Sequence, residues 1–204
     1  MAENGNNVSK QTLYISIAVA LLLGFLSGII DSDRSPGSGG QVAQQPNLPP
    51  LPQQQEQIIQ AIESLQFAVQ QNPNNAEAWT QLGHAYFDSN QPAKAIEAYN
   101  KALAIIPGNP SVLTDLGVMY RRNGQPDKAI ESFDKAMQIT PGFEQALFNK
   151  GVVQYNDLGD LEGALQSWRE LLIVNPGATG PNGVPVETMV DDLTKQIQSK
   201  KGGK

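Results

Sequence analysis

The sequence predicts an all-α solenoid of stacked helical hairpins behind one N-terminal transmembrane helix and a Pro/Gln/Gly-rich linker. Three observations predict it. Trp79, Leu113 and Leu147 fall 34 residues apart, as do Gly83, Gly117 and Gly151, and Pro73, Pro107 and Pro141; Pro176 follows 35 later. Such a fixed period marks a repeat array rather than one closed core. Inside each period the large apolar residues recur at i, i+3, i+4 and i+7, the spacing of one helix face. Ahead of the repeats runs TLYISIAVALLLGFLSGII, residues 12–30, with no charge in it.

Composition narrows the function. The 204 residues carry 14 basic and 20 acidic side chains, a net charge of −6, so the basic footprint of a nucleic-acid binder is missing and no nucleic-acid partner is expected. With no cysteine and one histidine, disulfides, thiolate zinc sites, cysteine nucleophiles and histidine metal cages drop out. The expectation is no metal, no cofactor and no catalytic residue.

Residues 1–11 form an N-terminal tail. Residues 12–30 would span roughly 27–29 Å as a helix, about one hydrocarbon core. A cleaved signal peptide would carry a shorter apolar region and end in small residues. This one ends Gly28-Ile29-Ile30-Asp31, so an uncleaved membrane anchor is expected. Lys10 and the amino terminus precede the span, while Arg34 after it is offset by Asp31 and Asp33. That bias leaves the N-terminus inside and the C-terminal bulk outside. Gly24 and Gly28 make a G-x-x-x-G pair, a face through which two such helices can form a homodimer. Residues 31–55 hold five prolines, three glycines and six glutamines and read as a spacer with polyproline II character.

The repeats come next. The first copy holds Trp79, Leu82, Gly83, Tyr86, Ala95, Tyr99, Ala102 and Pro107; the second holds Leu113, Leu116, Gly117, Tyr120, Ala129, Phe133, Ala136 and Pro141. Small residues let two helices approach, and large ones fill the space between them. Pro92 and Pro126 suit the first turn of a second helix, where a missing N–H costs little. The third copy keeps Leu147 and Gly151 but has Lys150 and Gln154 for the leucine and tyrosine, then one extra residue around Leu158-Gly159-Asp160-Leu161 before Ala164, Trp168, Leu171 and Pro176. These residues resemble the tetratricopeptide repeat (TPR) family over residues 56–176. The expected units are a leading half-repeat at 56–75, where Ala61, Leu65, Ala68 and Pro73 keep the register, repeats at 76–109, 110–143 and 144–178, and a capping helix at 185–200 striped by Val186, Met189, Val190, Leu193 and Ile197.

The resemblance implies a concave groove lined by the first helix of each hairpin. Its groove positions carry over to Glu77, Thr80, His84, Phe87 and Asp88, to Ser111, Thr114, Val118, Arg121 and Arg122, and to Gln145, Phe148, Val152, Tyr155 and Asn156. Of these, Thr80, His84, Phe87, Thr114, Val118, Arg121, Arg122, Phe148, Val152 and Tyr155 are the candidate peptide-binding residues. Aromatic and aliphatic groups beside two arginines suit a peptide or helix with apolar anchors and an acidic group. The carboxylate clamp of chaperone-binding TPR domains does not carry over. Thr80, His84, Asp115, Gln145 and Asn149 stand there, and an aspartate repels a peptide carboxylate. His84 and Asp88 make an i, i+4 surface pair rather than a catalytic dyad. Asp157, Asp160 and Glu162 lack calcium-loop spacing.

The order of segments, and the run Ala164-Leu165-Gln166-Ser167-Trp168-Arg169-Glu170-Leu171-Leu172, is similar to the membrane-anchored TPR proteins of bacterial cytochrome c biogenesis, which hold apocytochrome c. Sequence reading therefore leads to a non-enzymatic, membrane-anchored interaction adaptor or scaffold of the bacterial inner membrane with its repeats in the periplasm. The alternative is a chaperone-like component of cytochrome c maturation.

Overall fold

The computed structural model describes residues 53–202. The expected transmembrane segment 12–30, the Gly24/Gly28 pair and most of the linker lie outside the described residues. Among the described residues, no helix is long and apolar enough to cross a membrane.

Eight α-helices follow one another in the described part: α1 (Gln53–Gln71), α2 (Ala76–Asp88), α3 (Pro92–Ile105), α4 (Pro110–Arg122), α5 (Pro126–Ile139), α6 (Glu144–Asn156), α7 (Leu161–Val174) and α8 (Val186–Gly202). Local chemistry sets most ends. The Asn75 side chain accepts from the Ala78 N–H, Asn109 from Ser111 and Val112, and Asp160 from Gly163, each relieving an orphan amide of a first turn. Gln91 and Gln125 make no such bond, but Pro92 and Pro126 open α3 and α5 with their φ already helical. Inside the hairpins, Asn90, Gly124 and Gly159 occupy the left-handed region, at φ 53°, 69° and 65°, where asparagine and glycine are the tolerated residues.

Helices α2/α3, α4/α5 and α6/α7 pair as hairpins and stack in order, with α1 before them and α8 after. Each hairpin closes on a notch. A Cβ at Gly117 would lie 2.5 Å from Phe133, and Gly83 and Gly151 meet Tyr99 and Trp168 in the same way. Tyr99 and Phe133 are fully buried and Trp168 nearly so. The apolar core is continuous but segmented: Val69, Leu82, Tyr86, Tyr99 and Met119 form one cluster, Leu113, Phe133 and Val153 the next, and Trp168, Val186, Val190, Leu193 and Ile197 the last. Each cluster spans neighbouring hairpins, as expected of a solenoid whose units bury little alone.

Two boundaries differ from the sequence reading. Gln53, Gln54 and Gln55, assigned to the linker, begin α1; glutamine is a good helix former once proline stops recurring. The last helix runs on to Gly202, with Glu187 in its first turn. The loop before it carries a 3₁₀ turn, Pro181–Gly183, and a single bridge between Thr179 and Pro185.

Candidate functional site: the face of the first helices

Contacts between α2, α4 and α6 define one face of the stack. On α2, His84 Nε2 lies 3.3 Å from Asp115 Oδ2 on α4. One turn on, the Arg122 guanidinium stands 4.4 Å from the centroid of the Phe87 ring, and its Nη1 donates to the Phe87 carbonyl at 3.4 Å. Between α4 and the turn after α6, Arg121 Nε donates to Asp157 Oδ2 at 2.5 Å. Polar bridges thus cross each step of the face.

His84 is about half exposed and Asp115 about a third. The bond to Asp115 holds the imidazole pKa above its ordinary 6.5 against partial burial, and the charges of Asp115, Asp88 and Glu77 add to it. The sequence reading pairs His84 with Asp88, one turn along the same helix. The structure brings the His84 Nε2 against Asp115 instead. Asp88 is left as an exposed carboxylate nearby.

The other predicted groove residues divide. Thr80 is half-buried and its hydroxyl returns to the Ala76 carbonyl at 3.0 Å. Thr114 is buried, with its hydroxyl on the Pro110 carbonyl at 2.9 Å. Threonine in a helix commonly makes this bond to the i−4 carbonyl, and here it removes Thr114 from the open surface. Val118 is half-buried between two core clusters. Phe148 and Val152 pack against the C-terminal cluster. A Cβ at Gly180 would meet the Phe148 ring at 3.2 Å and Met189 Sδ at 3.5 Å, so the chain's own last loop and helix cover part of this stretch. Tyr155 remains exposed, its ring 5.9 Å from Trp168.

The expectation that two arginines await an acidic group changes for one of them. Arg121 is paired with Asp157, whereas Arg122 lies over the Phe87 ring and keeps its charge, exposed and without a carboxylate partner among the described residues. What stays open around His84 is carboxylate: Glu77, Asp88 and part of Asp115.

One functional candidate was missed by sequence reasoning. Tyr99 on α3 fills the Gly83 notch, and its ring meets the His84 ring edge-on at 5.6 Å between centroids. Its hydroxyl is the one buried side-chain polar atom among the described residues without a hydrogen-bond partner. Burial, reinforced by Asp115 and Asp88, pushes its pKa far up, so the hydroxyl stays protonated. The signal was present in the sequence. Repeat two uses Phe133 in the same slot, so packing alone does not require an oxygen there.

Among the described residues no cluster of histidine, aspartate and glutamate is arranged to hold a metal ion.

Known proteins share this arrangement of helices. Family models described as tetratricopeptide repeat match residues 76–109, 98–131 and 145–178, and one described as TPR repeat matches 54–90. No curated protein sequence matches the chain. Among solved structures, one of MamA protein is 19% identical, with a TM-score of 0.59 over 71% of this chain and 81% of that one. The Sgt2 TPR domain from Aspergillus fumigatus is 23% identical, with a TM-score of 0.53 over 63% and 83%. The first TPR of Spaghetti (RPAP3), bound to an HSP90 peptide, is 20% identical, with a TM-score of 0.53 over 60% and 93%. At such identities the likeness is one of fold.

Proposed function

Because the chain belongs to the tetratricopeptide repeat family, we propose that it is a protein-interaction adaptor or scaffold that holds a peptide or helix of a partner on the face built by α2, α4 and α6. One observation carries this reading. The face presents half-exposed aromatic and polar groups, Phe87, His84, Asp115 and Tyr155, bridged into a surface without a nucleophile aligned to a base. Such a surface binds rather than reacts. The HSP90 peptide bound to the first TPR of Spaghetti (RPAP3) supports the same use of the fold. We read the protein as non-enzymatic on this ground.

Photo-crosslinking in cells tests the reading. A benzophenone amino acid placed at Gln145 or Tyr155 should capture a discrete partner, and one placed at Glu97 or Glu131, on exposed second-helix surface, should not. Equal capture from both faces would remove the groove as the binding surface.

Anchoring through residues 12–30, with the repeats outside the bacterial inner membrane, is part of the proposal and rests on the uncharged run in the sequence. Alkaline carbonate should leave the protein in the membrane pellet, and its mature N-terminus should precede residue 12. The narrower reading, a component that holds apocytochrome c, rests on the residue resemblance of the last repeat. It expects roughly micromolar affinity, about 8 kcal/mol, for a c-type C-terminal helix peptide. That affinity should drop on Tyr155→Ala and respond little to salt.

A further inference from the structure

The surroundings of His84 carry a more specific inference, which rests on the groove reading above. We propose that Asp115, Asp88 and the buried Tyr99 hydroxyl form a subsite for a cationic side chain, an arginine or a lysine, of the bound partner.

Four observations combine. First, the carboxylates of Glu77, Asp88 and Asp115 all bear on His84, while the two arginines of the same face are engaged, Arg121 by Asp157 and Arg122 by Phe87. Against the one charge of Arg122, the three carboxylates leave this end of the groove negative on balance, and charge complementarity selects a positive group. Second, the Tyr99 side chain is wholly buried and its hydroxyl unpartnered. A buried hydroxyl without a partner destabilises the fold, and a ligand that supplies the partner recovers that loss. Third, the Tyr99 ring is held between the hairpin and the helix that carries His84. It passes the Gly83 notch to reach His84, and the charges acting on its hydroxyl are those of Asp115, Asp88 and Arg122. Fourth, Phe133 fills the equivalent notch without an oxygen.

His84 lies edge-on against the Tyr99 ring and occupies Asp115. A guanidinium that displaces the imidazole gives its N–H groups to Asp115 and Asp88, and the phenolic oxygen accepts one more. Charge-assisted bonds of this kind are the stronger ones. His84 then acts as a stand-in for the ligand's cation. The groups that face it are Glu77 and Asp88 on its own helix, Tyr99 on α3, and Asp115 with Arg122 on α4. As pH falls through the raised His84 pKa, the imidazolium holds Asp115 more tightly, and an incoming cation meets both a competitor and a repelling charge.

The test uses the full chain in mild detergent and three blocked twelve-residue leucine–alanine helical peptides, alike except for a central arginine, citrulline or glutamate. Titration calorimetry should show the arginine peptide binding at least tenfold more tightly than the citrulline peptide at pH 8, and the glutamate peptide most weakly. The arginine preference should shrink at pH 5.5. Asp115→Asn and Asp88→Asn should each reduce it, with the helical circular dichroism unchanged. Tyr99→Phe should reduce the preference while leaving the melting temperature equal or higher, which a merely structural tyrosine would not do. Equal binding of the arginine and citrulline peptides overturns the subsite and leaves the groove reading standing. No binding of any of the three peptides overturns both.

Discussion

The junctions between hairpins follow two different designs. At the first two, a side chain on the preceding helix donates to a tyrosine twenty residues on: Gln66 Nε2 to Tyr86 at 2.7 Å and Asn100 Nδ2 to Tyr120 at 3.4 Å. A lysine stands over each tyrosine ring, Lys94 at 5.4 Å and Lys128 at 5.6 Å. At the third junction the tyrosine is Gln154, the donor position is Asp134, and the lysine position, one place late, is Gly163. Asp134 now pairs with Lys150 at 2.7 Å, and Gln154 accepts from Ser167 at 2.7 Å. Lys150 and Gln154, which look in the sequence like decay of the repeat, are two members of a linked exchange. Removing the tyrosine leaves its partners without a role unless they change with it, because buried polar groups must be satisfied together.

The strongest test of this comparison addresses what all three hairpins share. Gly117→Leu should lower stability by about 3 kcal/mol by wedging α4 from α5 and broaden the thermal transition, since a solenoid passes strain to its neighbours. Gly151→Leu should do the same in the third hairpin. If Gly151→Leu melted like the parent, the third hairpin would not close on its glycine notch, and its likeness to the other two would fail there.

Smaller and opposite in sign is the effect at Tyr99. Tyr99→Phe copies the second hairpin into the first and should raise stability by about 1 kcal/mol, since it removes a buried hydroxyl without a partner. Chemical denaturation of both proteins reads the difference; a clear loss of stability would mean the hydroxyl is satisfied in solution.

The exchange at the third junction should show as coupling. A double-mutant cycle on Asp134→Ala and Lys150→Ala should give about 0.5 kcal/mol, the scale of a partly exposed pair. Additive effects would leave the two side chains energetically independent.

The weakest expected effect distinguishes the first repeat, because Val118 and Val152 hold the positions equivalent to His84. The folded-state pKa of His84 is raised, so the contact with Asp115 stabilises fully below the unfolded value of about 6.5. That contribution disappears as pH rises through the raised value. Melting temperatures across this window should fall slightly in the parent. The slope should flatten in Asp115→Asn, and an unchanged slope would assign it to other groups.

Much of the architecture was legible in residue spacing. Glycine recurring one period apart, with an aromatic ring 16 or 17 residues on, implies a close helix approach at each hairpin, and Gly83, Gly117 and Gly151 each meet that ring. Proline at the starts of α3 and α5 marked their first turns. The extra residue in the third turn was visible as a register shift, and that turn keeps the left-handed residue of the other two, at Gly159. Site chemistry was less legible. Thr114 and Phe148 held groove positions by register, yet one is buried with its hydroxyl turned back and the other lies under the last loop.

Residue order was enough to set the period, the hairpins, their notches and the family, because these depend on spacings within one or two helices, where the 3.6-residue turn converts number into direction. Three facts emerged only once the helices were packed: His84 meets Asp115 rather than Asp88, both arginines are engaged, and Tyr99 carries an unpartnered hydroxyl beneath the groove. They depend on the offset between neighbouring helices and on the reach of long side chains across it. A shift of one turn along a helix moves a side chain by about 5.4 Å, more than the length of any hydrogen bond, and no periodicity along the chain reports it.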